Sequence, residues 1–153
     1  SAAPQLSTDG RPEAPTVAEA EANRSLVLLV DDHPINAMVL VRQLNTLGYD
    51  AESAENGVKG LAQWKTGRFS LVITDCNMPE MSGYDLARAI RAAEAESGSP
   101  RTPIIACTAN ALEEEAGVCF DAGMDDYIPK PVNLVSLLRK LDTWLPLTVP
   151  AKT

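Results

Sequence analysis

Short apolar runs recur along this chain, each followed by a stretch of helical spacing, and that alternation restricts its fold more than any other feature. Leu26-Val-Leu-Leu-Val30 is the plainest run. So short and continuous a run suits a strand covered on both faces. Pro34 follows at a position where a helix tolerates proline. Ala37, Leu40, Val41, Leu44 and Leu47 then recur at helical spacing, and Gly48 ends the helix. Residues 50–54 read as a weak strand. Asn56 is placed to cap a second helix whose apolar face is Val58, Leu61, Ala62 and the stem of Lys65. Residues 71–74 read as a strand, and 83–94 as a helix with Leu86, Ile90 and Ala93 on one face. Residues 103–107 read as a strand and 111–121 as a helix closed by Gly123. Glu113, Glu114 and Glu115 stand in its first turn, where the helix dipole favours anions. Residues 126–128 form a short strand, and a last helix from 133 to about 145 buries Leu134, Leu138, Leu141 and Leu145. Five βα units in this order predict an α/β fold with a parallel sheet between two helical layers.

The folded part is then 25–146 of the 153 residues. Residues 1–24 hold Pro4, Pro12 and Pro15 amid Ala, Glu, Ser and Thr and read as a flexible linker or disordered arm; 147–153 read as a tail. Apolar residues make up 45% of the chain, enough for a core, yet no run approaches the ~18 residues of a membrane span. The expectation is no direct membrane contact. A net charge of −8 with no basic patch argues against nucleic-acid binding. Cys76, Cys107 and Cys119 lack a CxxC spacing, which disfavours a disulfide framework and a structural zinc site. Buried free thiols suit a reducing, cytoplasmic location.

In such a sheet the functional crevice lies beyond the C-terminal ends of the strands. Asp31 and Asp32 follow strand one, Asp75 strand three, Thr108 strand four and Lys130 strand five. Three carboxylates on one rim repel one another, and a hard divalent cation relieves this. An open rim suits Mg2+, which keeps several waters, better than a closed calcium cage. An aspartate can attack a phosphoryl group to give an acyl phosphate, while Lys130 and Thr108 are suited to contact its oxygens.

Four blocks carry a resemblance to a known family: Val30-Asp-Asp-His-Pro-Ile-Asn36, Thr74-Asp-Cys-Asn-Met-Pro-Glu-Met-Ser-Gly83, Ala106-Cys-Thr-Ala-Asn-Ala111 and Lys130-Pro131. In this order they resemble the signature of two-component receiver domains, over residues 26–145 or so. The resemblance implies a flavodoxin-like (βα)5 three-layer sandwich with strand order 2-1-3-4-5. It implies that Asp75 is the phosphoacceptor and that Mg2+ or Mn2+ is held by Asp32 and Asp75 directly, by Asp31 mainly through water and by the backbone carbonyl of Asn77. Thr108 and Lys130 would contact the phosphoryl group, Thr108 and Tyr127 would form the switch, and the bond before Pro131 would be cis. Asn77 and Asn110 occupy positions that tune dephosphorylation in the family.

The Asp-His-Pro-Ile-Asn start and the Thr-Ala-Asn-Ala block look most like receivers of hybrid sensor histidine kinases in multi-step phosphorelays. The missing initial Met, the arm before Leu26 and the lack of a DNA-binding domain after Leu145 agree with a piece of a larger kinase. The implied partners are a histidine kinase domain as donor and a histidine-phosphotransfer domain as recipient, both compatible with the same parent chain. The parent would then be a histidine kinase, cytoplasmic or the cytoplasmic part of a membrane-anchored sensor. The receiver itself would catalyse only its own phosphorylation and dephosphorylation. The alternatives are the receiver of a stand-alone or DNA-binding response regulator and a docking-only pseudo-receiver; the latter would be expected to lose rim residues. A hydrolase using an aspartyl phosphate would want an acid where Asn77 stands, and a nucleotide-binding protein would want a Gly-rich loop after strand one. Single residues also have plainer roles open to them: helix capping for Asp31 and Asp32, a solvated loop for His33, strand packing for Tyr127, and helix-face packing for Trp64 and Trp144.

Overall fold

A computed structural model of the chain describes residues 25–109 and 113–146. The expected arm, the tail and Asn110 lie outside the described residues. Ten elements alternate: β1 (Val27–Val30), α1 (Pro34–Thr46), β2 (Ala51–Ala54), α2 (Gly57–Trp64), β3 (Leu71–Asp75), α3 (Gly83–Ser97), β4 (Ile104–Thr108), α4 (Glu113–Asp121), β5 (Asp126–Pro129) and α5 (Leu134–Trp144). The strands pair in parallel in the order β2-β1-β3-β4-β5, the order that the family resemblance implies. All five therefore end on the same edge. No helix among the described residues is long and apolar enough to cross a membrane.

Strand side chains alternate between faces, so each continuous apolar run feeds two cores. Leu28, Val30, Val72, Ile104 and Ala106 join Trp64, Leu86 and Ile90 on one face. Val27, Leu29, Ile73, Ile105 and Ile128 join Leu40, Leu44, Leu137 and Leu141 on the other. The expected helices are present, but two turn faces to the core that differ from those the apolar spacing suggests. In α2, Val58 is 52% exposed, and the buried positions are Gly57, Gly60 and Trp64. A Cβ on Gly60 would lie 2.8 Å from Val30 Cγ2, and one on Gly57 2.7 Å from Met81 Cγ. The helix seats on its glycines because they let its backbone come close, and glycine has no side chain to mark that face in an apolar pattern. In α5, Leu137 and Leu141 are fully buried, whereas Leu134, Leu138 and Leu145 are partly buried at the margin.

Among the described residues, three helix starts carry side-chain caps. Asn56, Ser82 and Asn133 accept hydrogen bonds from the amides of Lys59, Asp85 and Ser136. Arg91 of α3 ties the end away from the strand C-termini. It donates to Glu94, to Asp125 and to the carbonyls of Gly123 and Thr102, each at 2.7–2.8 Å. Lys140 and Trp144 of α5 both donate to Asp126 of β5, fastening the last helix to the edge strand.

Candidate functional site

The rim is assembled from strand ends. Asp31 follows β1, its amide donating to the Ala54 carbonyl at 3.1 Å, and only 6% of the residue is exposed. Asp75 ends β3 and is equally buried; Thr108 ends β4 at 3% exposed. β5 pairs Pro129 with Thr108, and the next amide, of Lys130, donates to the Thr108 carbonyl at 2.8 Å. That register brings the lysine side chain back across the rim, where Nζ lies 3.0 Å from Asp75 Oδ1. The Lys130–Pro131 peptide bond is cis. Just beyond it, the Val132 carbonyl accepts a hydrogen bond from Gln43 Nε2 of α1 at 3.0 Å.

The segment between β3 and α3 folds tightly over Asp75. The Gly83 amide donates to the Cys76 carbonyl at 3.0 Å, and a Cβ on Gly83 would fall 2.2 Å from the Asp75 carbonyl oxygen. No residue with a side chain fits there without moving backbone. The Asn77 amide reaches Asp75 Oδ1 at 3.4 Å, a long contact, and the Asn77 side chain faces solvent. Glu80, at φ 70°, occupies the left-handed region at the outer turn of this segment.

Electrostatics at the rim are unbalanced. One donor atom each from Asp31, Asp32, His33 and Asp75 lies within 4.8 Å of all the others. Burial and the nearby Asp75 charge hold the Asp31 carboxyl above its usual pKa, against a hydrogen bond from the His33 amide. Burial opposes the Lys130 charge, but the hydrogen bond and charge of Asp75, then Asp31, outweigh it, and its pKa lies above that of an ordinary lysine. Lys130 brings one positive charge to three carboxylates. A small divalent cation fits this donor set: the carboxylate oxygens are hard ligands, converge on one point and carry excess negative charge. Burial pushes the Cys107 thiol up to about 12, so it stays protonated and is no rival nucleophile.

Not every expected residue meets at the rim. Tyr127 lies within β5, half-buried against the core cluster that includes Ala106, Cys119 and Ile90, with Lys140 Nζ 5.8 Å from its ring centroid. Asn110 lies outside the described residues. Conversely, His33 is not just a solvated loop residue: although 65% of its side chain is exposed, Nδ1 sits 3.0 Å from Asp32 Oδ1. Its place directly after Asp32 was the available signal. Gln43 gave none, because its partner Val132 lies 89 residues along the chain.

Known proteins resemble the chain in both sequence and fold. The family model of the response regulator receiver domain matches residues 27–142. The virulence sensor protein BvgS of Bordetella pertussis is 45% identical over 143 residues, which is 92% of this chain and 11% of that protein. The chain thus spans about a tenth of the length of this curated relative. Among solved structures, the co-crystal of the Saccharomyces cerevisiae phosphotransfer protein Ypd1 with the receiver domain of Ssk1 matches with TM-score 0.75 and 31% identity, over 80% of this chain and 89% of the matched one. The receiver domain of sensor histidine kinase PA1611 from Pseudomonas aeruginosa, which has a magnesium ion coordinated in its active-site cleft, matches with TM-score 0.69 and 36% identity, over 78% and 96%.

Proposed function

The chain belongs to the response regulator receiver domain family, and on that premise we propose that Asp75 accepts a phosphoryl group from a phosphohistidine. The observation that carries the reading is the setting of Asp75: a buried carboxylate at a strand end, 3.0 Å from the Lys130 ammonium and within 4.8 Å of donor atoms of Asp31 and Asp32. In the transfer the N–P bond of the donor breaks and an O–P bond to Asp75 forms. The electron pair stays with the donor nitrogen, and the ring is left as neutral imidazole because its other nitrogen carries a proton. Lys130 and the Thr108 hydroxyl contact the phosphoryl oxygens, and Asn77 and Asn110 tune the later hydrolysis. Asp31, Asp32, Asp75 and the Asn77 carbonyl are the residues to hold Mg2+ or Mn2+. When bound, such an ion supplies charge neutralisation to the phosphoryl oxygens.

Thr108 and Tyr127 then act as the switch, biasing two arrangements of the face formed by α4, β5 and α5. The partners are a histidine kinase domain as donor and a histidine-phosphotransfer domain as recipient. Ile35, Met38 and Val39 of α1 support this, because they are 74%, 52% and 50% exposed beside the rim and offer an apolar landing for a helical partner. The parent is a cytoplasmic histidine kinase or the cytoplasmic part of a membrane-anchored one, a reading supported by the likeness to BvgS and the PA1611 receiver. Phosphotransfer from purified phosphorylated kinases with Mg2+ tests the assignment. Wild type is expected to take label that Asp75→Asn does not; equal labelling of both would remove Asp75 from the reaction.

A further inference from the structure

His33 is the chain's single histidine, and its ring is hydrogen-bonded at the rim to Asp32. It stands at the N-cap of α1, a position that favours Ser, Thr, Asp or Asn. Its backbone is extended there (φ −100°, ψ 109°), yet its side chain makes no cap hydrogen bond. The ring turns inward instead. Nδ1 lies 3.0 Å from Asp32 Oδ1 and 3.7 Å from Asp31 Oδ1. The His33 amide donates to Asp31 Oδ1 at 2.9 Å, which fixes the backbone that carries the ring against the rim.

We propose that His33 is a nitrogen donor to the cation held at this rim, so that the site takes later first-row ions such as Co2+ more tightly than its oxygens alone would. The inference rests on the cation reading of the rim. Spacing supports it. Octahedral donors at about 2.1 Å from an ion stand about 3.0 Å apart when adjacent and about 4.2 Å when opposite. The 3.0 Å hydrogen bond between His33 and Asp32 holds the two atoms at the spacing of an adjacent pair, and the 4.8 Å spread of the four donors needs only a small contraction to match the rest. Chemistry sets the preference. Carboxylates and water suit Mg2+ and Mn2+, whereas imidazole favours the later ions of the row, Co2+ among them. Ring exposure is no obstacle, because the rim is open to solvent and the donor nitrogen is the one turned inward.

The test uses the tag-free chain with the metal ions alone. Pulsed electron paramagnetic resonance of bound Mn2+ reads nitrogen hyperfine coupling, and His33 is the only imidazole that can supply it. Wild type is expected to show that coupling and His33→Ala to lose it while still binding Mn2+. Calorimetric titration is expected to show Co2+ affinity falling on the order of tenfold in His33→Ala, with Mg2+ affinity changing by less than about twofold. His33→Asn, which restores a usual N-cap, controls for helix stability and is expected to behave as His33→Ala toward Co2+. Mn2+ bound to wild type without nitrogen coupling would overturn the role of His33 and leave the rim intact. Equal loss of Mg2+ and Co2+ affinity would also overturn it. Failure of wild type to bind any of the three ions, or binding unchanged by Asp32→Asn, would overturn the cation reading and this inference together.

Discussion

At the scale of single residues, the site is governed by how few groups oppose its charge. Among the described residues, Lys130 is the one cation within reach of Asp75, and its position depends on both its backbone bond to Thr108 and its side-chain bond to Asp75. A compact ammonium on a flexible stem fits between carboxylate and incoming phosphoryl oxygens; a planar guanidinium does not. Lys130→Arg is therefore expected to keep the fold but lower the initial rate of phosphotransfer to Asp75 by tenfold or more, on the order of 1.4 kcal/mol of lost transition-state stabilisation. Rates within about twofold of wild type, measured with the same phosphorylated donor, would show that only charge matters here.

At the scale of elements, the end of the sheet opposite the rim is held by ion pairs as well as by buried apolar residues such as Leu26, Phe69 and Met124. Arg91 is largely buried, with 16% of its side chain exposed, and it joins α3 to the loops before β4 and β5. Glu94, on the same helix, is 6% exposed and also accepts from the Thr102 amide at 2.6 Å. Arg91→Ala would leave the Glu94 and Asp125 carboxylates without their main partner. Removing one member of a buried pair costs about 3–5 kcal/mol. Arg101, which still reaches Asp125, places the expected loss near the lower end of that range. Urea unfolding checks it, and Arg91→Lys is expected to recover only part, since one ammonium cannot serve four acceptors in this geometry.

At the scale of the whole molecule, the rim trades stability for chemistry. The folded pKa of Asp31 lies above its ordinary 3.8, through burial first and then the charges of Asp75 and Asp32. A carboxyl with a raised folded pKa binds its proton more tightly when folded. Its contribution is therefore favourable at low pH and is lost as pH rises from 3.8 through the folded value. Without divalent cations at neutral pH, Asp31→Asn is expected to melt a few degrees above wild type. The gap is expected to shrink below pH 4, where both side chains are neutral. Adding millimolar Mg2+ is expected to raise wild type more than the variant, because an ion that binds only the folded state stabilises it by mass action. Thermal melts across pH, with and without Mg2+, measure all three; a variant less stable than wild type in metal-free buffer at neutral pH would contradict the strained rim.

Local sequence alone settles the number and order of the elements, the parallel sheet and the residues standing at each strand end. Continuous apolar runs, helical spacing and the residue after a run are all read within a dozen positions. Parallel strands end on one edge, so the residues next to the apolar runs were enough to gather Asp31, Asp32, Asp75, Thr108 and Lys130. Long-range packing chose which of these touch and which groups support them. The Lys130–Asp75 contact joins residues 55 positions apart, the Gln43–Val132 bond 89, and the Arg91–Asp125 pair 34. Such pairs leave no periodic trace, because packing rather than local preference sets them. Gly57 and Gly60 were invisible for the opposite reason: they matter by the side chain they lack, and only a neighbouring strand or loop reveals the space it would fill. His33 lies between the two cases, its place beside Asp32 fixed by sequence and the direction of its ring by the fold.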